Sequence, residues 1–137
     1  MTKIAFVCVG NAGRSQMATA FAEAERAKRS LDEEIEIVTG GTDPKDDIHE
    51  DVIEVLREEN IDISTRTPRQ ITPEDVADAG YIVTMGCEAS GFTPNGWEGS
   101  TEQWNLSDPH GDDVAGVRAQ RDEIKQRVIE CFDKLER

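Results

Sequence analysis

The stretch Lys3 to Ser15, KIAFVCVGNAGRS, decides the fold class. Lys3 to Val9 is a short apolar run with β-branched and aromatic members, the pattern of a buried strand. Gly10 to Gly13 break the run. From Arg14 to about Arg29 the chain is rich in Ala, Glu, Lys and Arg, with Met17, Ala20, Phe21 and Ala24 at helical spacing. That is an amphipathic helix. The opening unit is therefore strand, glycine turn, helix.

The same alternation continues outward. Glu34 to Thr39 (EIEIVT) alternates and ends at Gly40-Gly41, a strand and its turn. His49 to Glu59 places Val52, Val55 and Leu56 on one helical face. Thr72-Pro73-Glu74-Asp75 reads as a helix start, with Thr72 as N-cap, Pro73 in the first turn and an acid three residues after the cap. Tyr81 to Met85 (YIVTM) is a third strand leading into Gly86-Cys87, and Val117, Ile124, Val128, Phe132 and Leu135 mark a C-terminal helix. Residues 88–113 hold Gly, Pro, Asn, Ser and both Trp without periodicity, and read as a long functional loop. Strands alternating with helices predict an α/β domain over residues 1–137, a parallel sheet with helices on both faces. Ligands in such folds sit beyond the carboxyl ends of the strands. Cys8 and Cys87 both fall at strand ends and would share that edge.

Composition narrows the function classes. With 29 acidic and 15 basic residues among 137, the formal net charge is -14. Such a field repels nucleic acid and anionic membrane surfaces. Five of the basic residues are Lys and ten are Arg, a balance that suits a salt-rich cytosol. No apolar run approaches the roughly 20 residues of a membrane-spanning helix. The N-terminus lacks a basic region with an apolar stretch behind it, so a cytoplasmic location is expected. Three cysteines, Cys8, Cys87 and Cys131, with no export signal argue against a disulfide framework. No CxxC or HxxxH pair is present, so no metal site is expected.

The candidate chemistry lies in Cys8-Val9-Gly10-Asn11-Ala12-Gly13-Arg14-Ser15. A loop that opens a helix presents unpaired N–H groups and a positive dipole end. Gly10, Asn11 and Gly13 tolerate left-handed backbone angles, so successive N–H groups can converge as a nest around a tetrahedral oxyanion. Arg14 can clamp two of its oxygens. Cys8 stands at the mouth of the nest, where positive potential favours the thiolate, and Ser15 can donate to its sulfur. A thiolate beside an oxyanion clamp is the arrangement for in-line attack on phosphorus or arsenic. A non-catalytic oxyanion binder or thiol sensor would keep the same nest.

The segment Cys8 to Ala18, CVGNAGRSQMA, resembles the active-site loop of the low-molecular-weight protein tyrosine phosphatase superfamily, which includes the thioredoxin-coupled arsenate reductases. Gly40 to Pro44, Ile61 to Gln70 (IDISTRTPRQ), Tyr81 to Cys87 and Asp108-Pro109-His110-Gly111 extend the likeness in order. The resemblance implies a four-stranded parallel sheet with flanking helices and no cofactor or metal. It also implies that Asp108 is a general acid. Gln16 and the absence of aromatic residues after Asp108-Pro109 are similar to the reductase branch. Cys87 stands where reductases carry a resolving cysteine, which would attack the Cys8–arsenate adduct and leave a disulfide. Two departures separate this chain from those reductases: no cysteine follows Cys87 by a few residues, and Gly13 replaces one common in the loop. A Cys8–Cys87 disulfide would then be reduced by an external thiol such as thioredoxin or glutaredoxin. The alternative is hydrolysis of aryl phosphates through a phosphocysteine, which needs no second thiol. His49 and His110 read as surface residues, Cys131 as a buried thiol, and Asp32 to Glu34 and Asp46-Asp47 as solvated faces. Asp43 has no clear role, and Trp97 and Trp104 either pack the long loop or line the site mouth.

Overall fold

In the computed structural model, which describes residues 2–106 and 113–136, four parallel strands form one sheet. They are β1 (Thr2–Cys8), β2 (Ile35–Gly41), β3 (Tyr81–Met85) and β4 (Ser100–Gln103), in the order β2-β1-β3-β4. The helices are α1 (Arg14–Lys28), α2 (Glu50–Arg57), α3 (Pro73–Val76) and α4 (Val114–Leu135).

β1 is central, paired in parallel with β2 on one side and β3 on the other. Strands covered on both faces read as continuous apolar runs, and Ile4 to Val7 are fully buried. Strand alternation then divides the core. Ile4, Phe6 and Cys8 face a cluster built with Met17 and Phe21 of α1, Val52 and Leu56 of α2, and Ile124 and Phe132 of α4. Ala5 and Val7 face the opposite cluster, with Ile71, Val76 of α3, Ile82 and Phe92. Helices thus cover both faces, as the alternation predicts.

The expected start of α3 is present as a reciprocal cap. Thr72 Oγ1 accepts from the Asp75 N–H, and the Asp75 carboxylate accepts from the Thr72 N–H. The fourth strand lies inside the stretch read as a loop. Its residues, Ser100 to Gln103, are mostly exposed on an edge strand, so no apolar alternation marks them. α1 buries Arg14 to Ala22, whereas Ala24 is exposed and lies outside the predicted stripe. Trp104 is 1% exposed and packs on Phe6 at 6.0 Å between ring centroids, while Trp97 Nε1 donates to the Ala79 carbonyl at 3.0 Å. Among the described residues no helix is long and apolar enough to cross a membrane.

Candidate active site

The turn after β1 is shaped by what happens to its carbonyls. The Cys8 and Val9 oxygens accept from the Thr42 and Asp43 N–H groups at 3.1 and 2.8 Å. The Gly10 and Ala12 oxygens accept from Lys45 and His49 N–H groups at 2.9 and 3.0 Å. The Asn11 oxygen accepts from Gln16 Nε2 at 3.1 Å. Five consecutive carbonyls are tied outward, mostly to the segment that leaves β2. Their amides are left to converge on the inside of the loop. Asp43, which had no role in the sequence, supplies one of these ties through its backbone. Close approach of this segment explains Gly41: a Cβ there would stand 2.5 Å from the Val9 oxygen.

α1 opens directly from this turn. Its N-cap is Gly13, no side chain caps it, and no acidic residue occupies its first turn. Free N–H groups and the positive dipole end therefore face the loop interior. An anion is the partner such a terminus lacks.

Asn11 is the keystone of the loop. It is fully buried at φ 51°, the left-handed conformation that Asn tolerates better than most residues. Its Nδ2 donates to Ser15 Oγ at 2.7 Å and to Thr39 Oγ1 at 3.0 Å. Its Oδ1 accepts from Gln16 Nε2 at 3.1 Å and from the Arg69 N–H at 3.0 Å. A backbone N–H can only donate, so the Arg69 contact fixes which end of the amide is oxygen. Ser15 Oγ, already accepting from Asn11, lies 2.9 Å from Cys8 Sγ. Either atom can donate in that contact, and a hydroxyl that accepts from Asn11 still has its own proton to offer the sulfur. The Asn11 N–H also donates to Cys8 Sγ, at 3.1 Å. The Asn11 N–H and the Ser15 hydroxyl thus converge on one sulfur that is 2% exposed. Gln16, a branch marker in the sequence, has a physical task here: it pins Asn11.

Arg14 is 7% exposed and donates from Nη1 to the Leu106 carbonyl at 3.2 Å. Gly86, at φ 83°, passes so close that a Cβ would lie 2.6 Å from Arg14 Nη1. The guanidinium is thus held between the turn after β3 and the chain after β4. Every strand of the sheet contributes to the site from its carboxyl end.

A small concavity of about 110 Å³ opens over the loop, lined by Cys8, Val9, Gly10, Ala12, Gly13, Arg14, Lys45 and His49. Lys45 and His49 were not legible as site residues. His49 is half-buried at the rim and precedes α2, rather than lying on the open surface. Lys45 lays its stem on Gly10, with Cγ 3.0 Å from where a Cβ would be. Both arrive on the segment whose N–H groups tie down the loop. Lys45 brings a local positive charge to a strongly acidic chain.

Cys87 reaches the same sheet edge but not the same concavity. Cys8 pairs in register with Met85, and Cys87 follows two residues later. Its thiol packs with Val38, Ala89 and Trp97 against the cluster on the opposite face, 3.7 Å from the Val7 carbonyl. Burial pushes the Cys87 thiol above its ordinary range and the neighbouring Cys8 adds to this, while Arg14 pulls the other way. Cys131 is buried in α4, as expected, and its thiol is pushed up to about 11 by burial. Asp108, with Pro109, His110 and Gly111, lies outside the described residues. Among the described residues no three His, Cys, Asp or Glu side chains gather as metal ligands.

The sequence matches the family model described as low molecular weight phosphotyrosine protein phosphatase over residues 3–137. The chain belongs to this family. Among its relatives in the family, a putative arsenate reductase of Halobacterium salinarum is 47% identical over 134 residues, covering 98% of this chain and 93% of that protein. A solved structure described as an arsenate reductase in the phosphate binding state is 31% identical, with a TM-score of 0.80 and 98% of each chain covered. A thioredoxin-dependent arsenate reductase of Corynebacterium glutamicum is 27% identical with a TM-score of 0.79, covering 99% of this chain. This chain spans 62% of that structure's length.

Proposed function

We propose that this chain is a thiol-dependent arsenate reductase. Arsenate sits in the nest of amides from Val9 to Ser15, with the Arg14 fork on two of its oxygens. Cys8 attacks arsenic, and an oxygen leaves as water with a proton supplied by Asp108, the role the family resemblance gives it. Cys87 then attacks the Cys8 sulfur. The S–As bond breaks with its electron pair going to arsenic, which leaves as arsenite, and the two cysteines are joined as a disulfide.

The observation that carries this reading is the second thiol. Cys87 lies at the carboxyl edge, two residues past the strand partner of Cys8, and phosphate ester hydrolysis has no use for it. The arsenate reductases among the relatives support the same choice. Two electrons per turnover must then come from outside, from a thiol reductant of the thioredoxin or glutaredoxin kind, and no bound cofactor or metal enters the scheme. The acidic chain, at -14, suits a cytoplasmic enzyme that binds neither nucleic acid nor membrane.

The loop itself serves a second reading equally well: hydrolysis of aryl phosphates through a phosphocysteine, the activity for which the family is named. Purified protein offered arsenate with defined thiol donors, and separately an aryl phosphate, decides between them. Arsenite formation dependent on Cys87 supports the reductase. Aryl phosphate turnover without arsenite formation replaces it with the phosphatase, and turnover of neither leaves an oxyanion binder.

A further inference from the structure

One residue outside the loop grips both ends of the Asn11 amide. The Arg69 N–H donates to Asn11 Oδ1 at 3.0 Å. At the other end, Asn11 Nδ2 donates to the Thr39 hydroxyl, and the Arg69 guanidinium holds Thr39 through Nη1, which donates to the Thr39 carbonyl at 2.7 Å. Thr39 is tied to β1 as well, by its hydroxyl donating to the Phe6 carbonyl at 3.0 Å. The Arg69 carbonyl accepts from the Gly41 N–H at 2.9 Å, so the backbone of residue 69 is fixed at the end of β2. The guanidinium is fixed from behind. Nη2 lies 3.1 Å from each oxygen of Asp75, and one of those oxygens also accepts from the Thr72 N–H in the cap of α3. Burial pushes the Asp75 carboxyl up, but its bonds from Arg69 and Thr72 outweigh this and hold it below its ordinary range. Val76, next in α3, is fully buried in the cluster on the face of the sheet away from Cys8. Neither Arg69 nor Asp75 lines the concavity over the loop.

We propose that Arg69 and Asp75 are positioning residues for attack by Cys8. The Asp75 carboxylate sets the Arg69 fork, and the fork sets Thr39 and the Arg69 N–H against the two ends of the Asn11 amide. Asn11 then keeps Ser15 Oγ and its own N–H on the sulfur. An ion pair with side chains 47% and 20% exposed contributes little through charge alone. What the pair supplies is geometry: a planar fork can meet a carbonyl and a carboxylate at once, and an ammonium cannot. The proposal goes beyond the choice between reductase and phosphatase, because both begin with the same attack.

The test follows iodoacetamide labelling of Cys8 at neutral pH in Cys87→Ser/Cys131→Ser protein, with melting temperature measured beside it. Arg69→Ala should slow labelling roughly three- to tenfold, the worth of a partly exposed charge-assisted hydrogen bond. Asp75→Ala should slow it too. Loss of a negative charge would by itself favour the thiolate and speed labelling, so slowing by Asp75→Ala marks positioning rather than field. The two substitutions together should be no worse than Arg69→Ala alone, as expected of residues acting through one contact. Thr72→Ala removes the hydroxyl cap of α3 but leaves the pair, and should label at the unsubstituted rate. With substrate, Arg69→Ala should lower kcat and leave KM little changed, since neither side chain touches the oxyanion. Should Arg69→Ala fail to fold, Arg69→Lys, which keeps the charge and loses the fork, carries the same expectation. Unchanged labelling in the folded Arg69 variants, faster labelling in Asp75→Ala, or an equal loss in Thr72→Ala overturns the proposal. Labelling needs no turnover, so these outcomes stand whichever substrate the enzyme takes.

Discussion

Cys87 lies two residues past the strand position that pairs with Cys8, yet its thiol packs on the opposite face of the sheet. Strand period alone would put Met85 and residue 87 on the same face as Cys8. Gly86 at φ 83° breaks the period and turns the chain. A disulfide requires Cα atoms within about 7 Å and Cβ vectors that converge. Joining Cys8 to Cys87 therefore requires rotation about Gly86, the one residue between β3 and the thiol.

Gly86→Ala should disable the site through both its effects. The added Cβ would stand 2.6 Å from Arg14 Nη1, and Ala resists a φ of 83°. Displacing the guanidinium by about an ångström should cost on the order of a hundredfold in kcat/KM for arsenate and aryl phosphate alike. Steady-state kinetics check this, and unaltered constants would remove Gly86 from the account.

Asn11→Ala strips four side-chain hydrogen bonds from a buried turn. Each stranded partner costs about 1–3 kcal/mol, and Ala is less tolerant of the left-handed backbone. The expected outcome is a clear fall in melting temperature together with lost activity. Ser15→Ala should act differently, costing less stability because it strands one Asn11 N–H rather than four partners, and slowing the steps in which Cys8 attacks by about tenfold or more, since it removes a hydrogen bond to the attacking sulfur. Thermal unfolding beside single-turnover rates separates the two, and equal effects on both observables would contradict the relay from Asn11 through Ser15.

The core of the fold was legible because its strands obey the patterns that burial imposes. β1 and β3 are apolar runs, the stretch of β2 alternates, and Thr72-Pro73-Glu74-Asp75 announces its own cap. β4 was not legible, because an exposed edge strand of Ser, Thr, Glu and Gln carries no alternation to read. The loop from Cys8 to Ser15 was legible for a similar reason: its chemistry is contiguous. Lys45 and His49 come from 30 or more residues onward, carried by backbone hydrogen bonds that leave no side-chain signature. The one sequence hint was Gly40-Gly41, whose second member has no room for a side chain beside Val9. The facing of Cys87 depended on a single backbone angle at Gly86, which a glycine permits but does not dictate.

Lys45 sits on Gly10 at the rim of the concavity, the place from which a charge acts on an entering anion. Lys45→Gln should raise KM for arsenate roughly three- to tenfold, since one charge near a protein surface contributes about 1 kcal/mol or somewhat more. kcat should change little, Lys45→Arg should restore KM, and the effect should shrink as salt is added. A change confined to kcat would contradict a capture role.

Cys87 should titrate above an ordinary thiol, because burial and the nearby Cys8 both disfavour its thiolate. In Cys8→Ser/Cys131→Ser protein, alkylation of Cys87 should be slow at neutral pH and rise through a midpoint above the usual thiol range of about 8.5. The midpoint should lie lower than it would with Cys8 present, since one of the two causes has been removed. A pH profile of iodoacetamide labelling measures it, and a midpoint below 8 would show that Cys87 does not occupy the buried position seen here.

The central claim is that Cys87 resolves an arsenic adduct on Cys8. Mass spectrometry of Cys131→Ser protein, treated with arsenate in the absence of reductant, quenched in acid and digested, tests it most directly. A peptide pair joined by a Cys8–Cys87 disulfide, formed in step with one arsenite released per chain, is the predicted result. If both thiols stay reduced while the same preparation hydrolyses aryl phosphates, the claim is contradicted and the chain is a phosphatase.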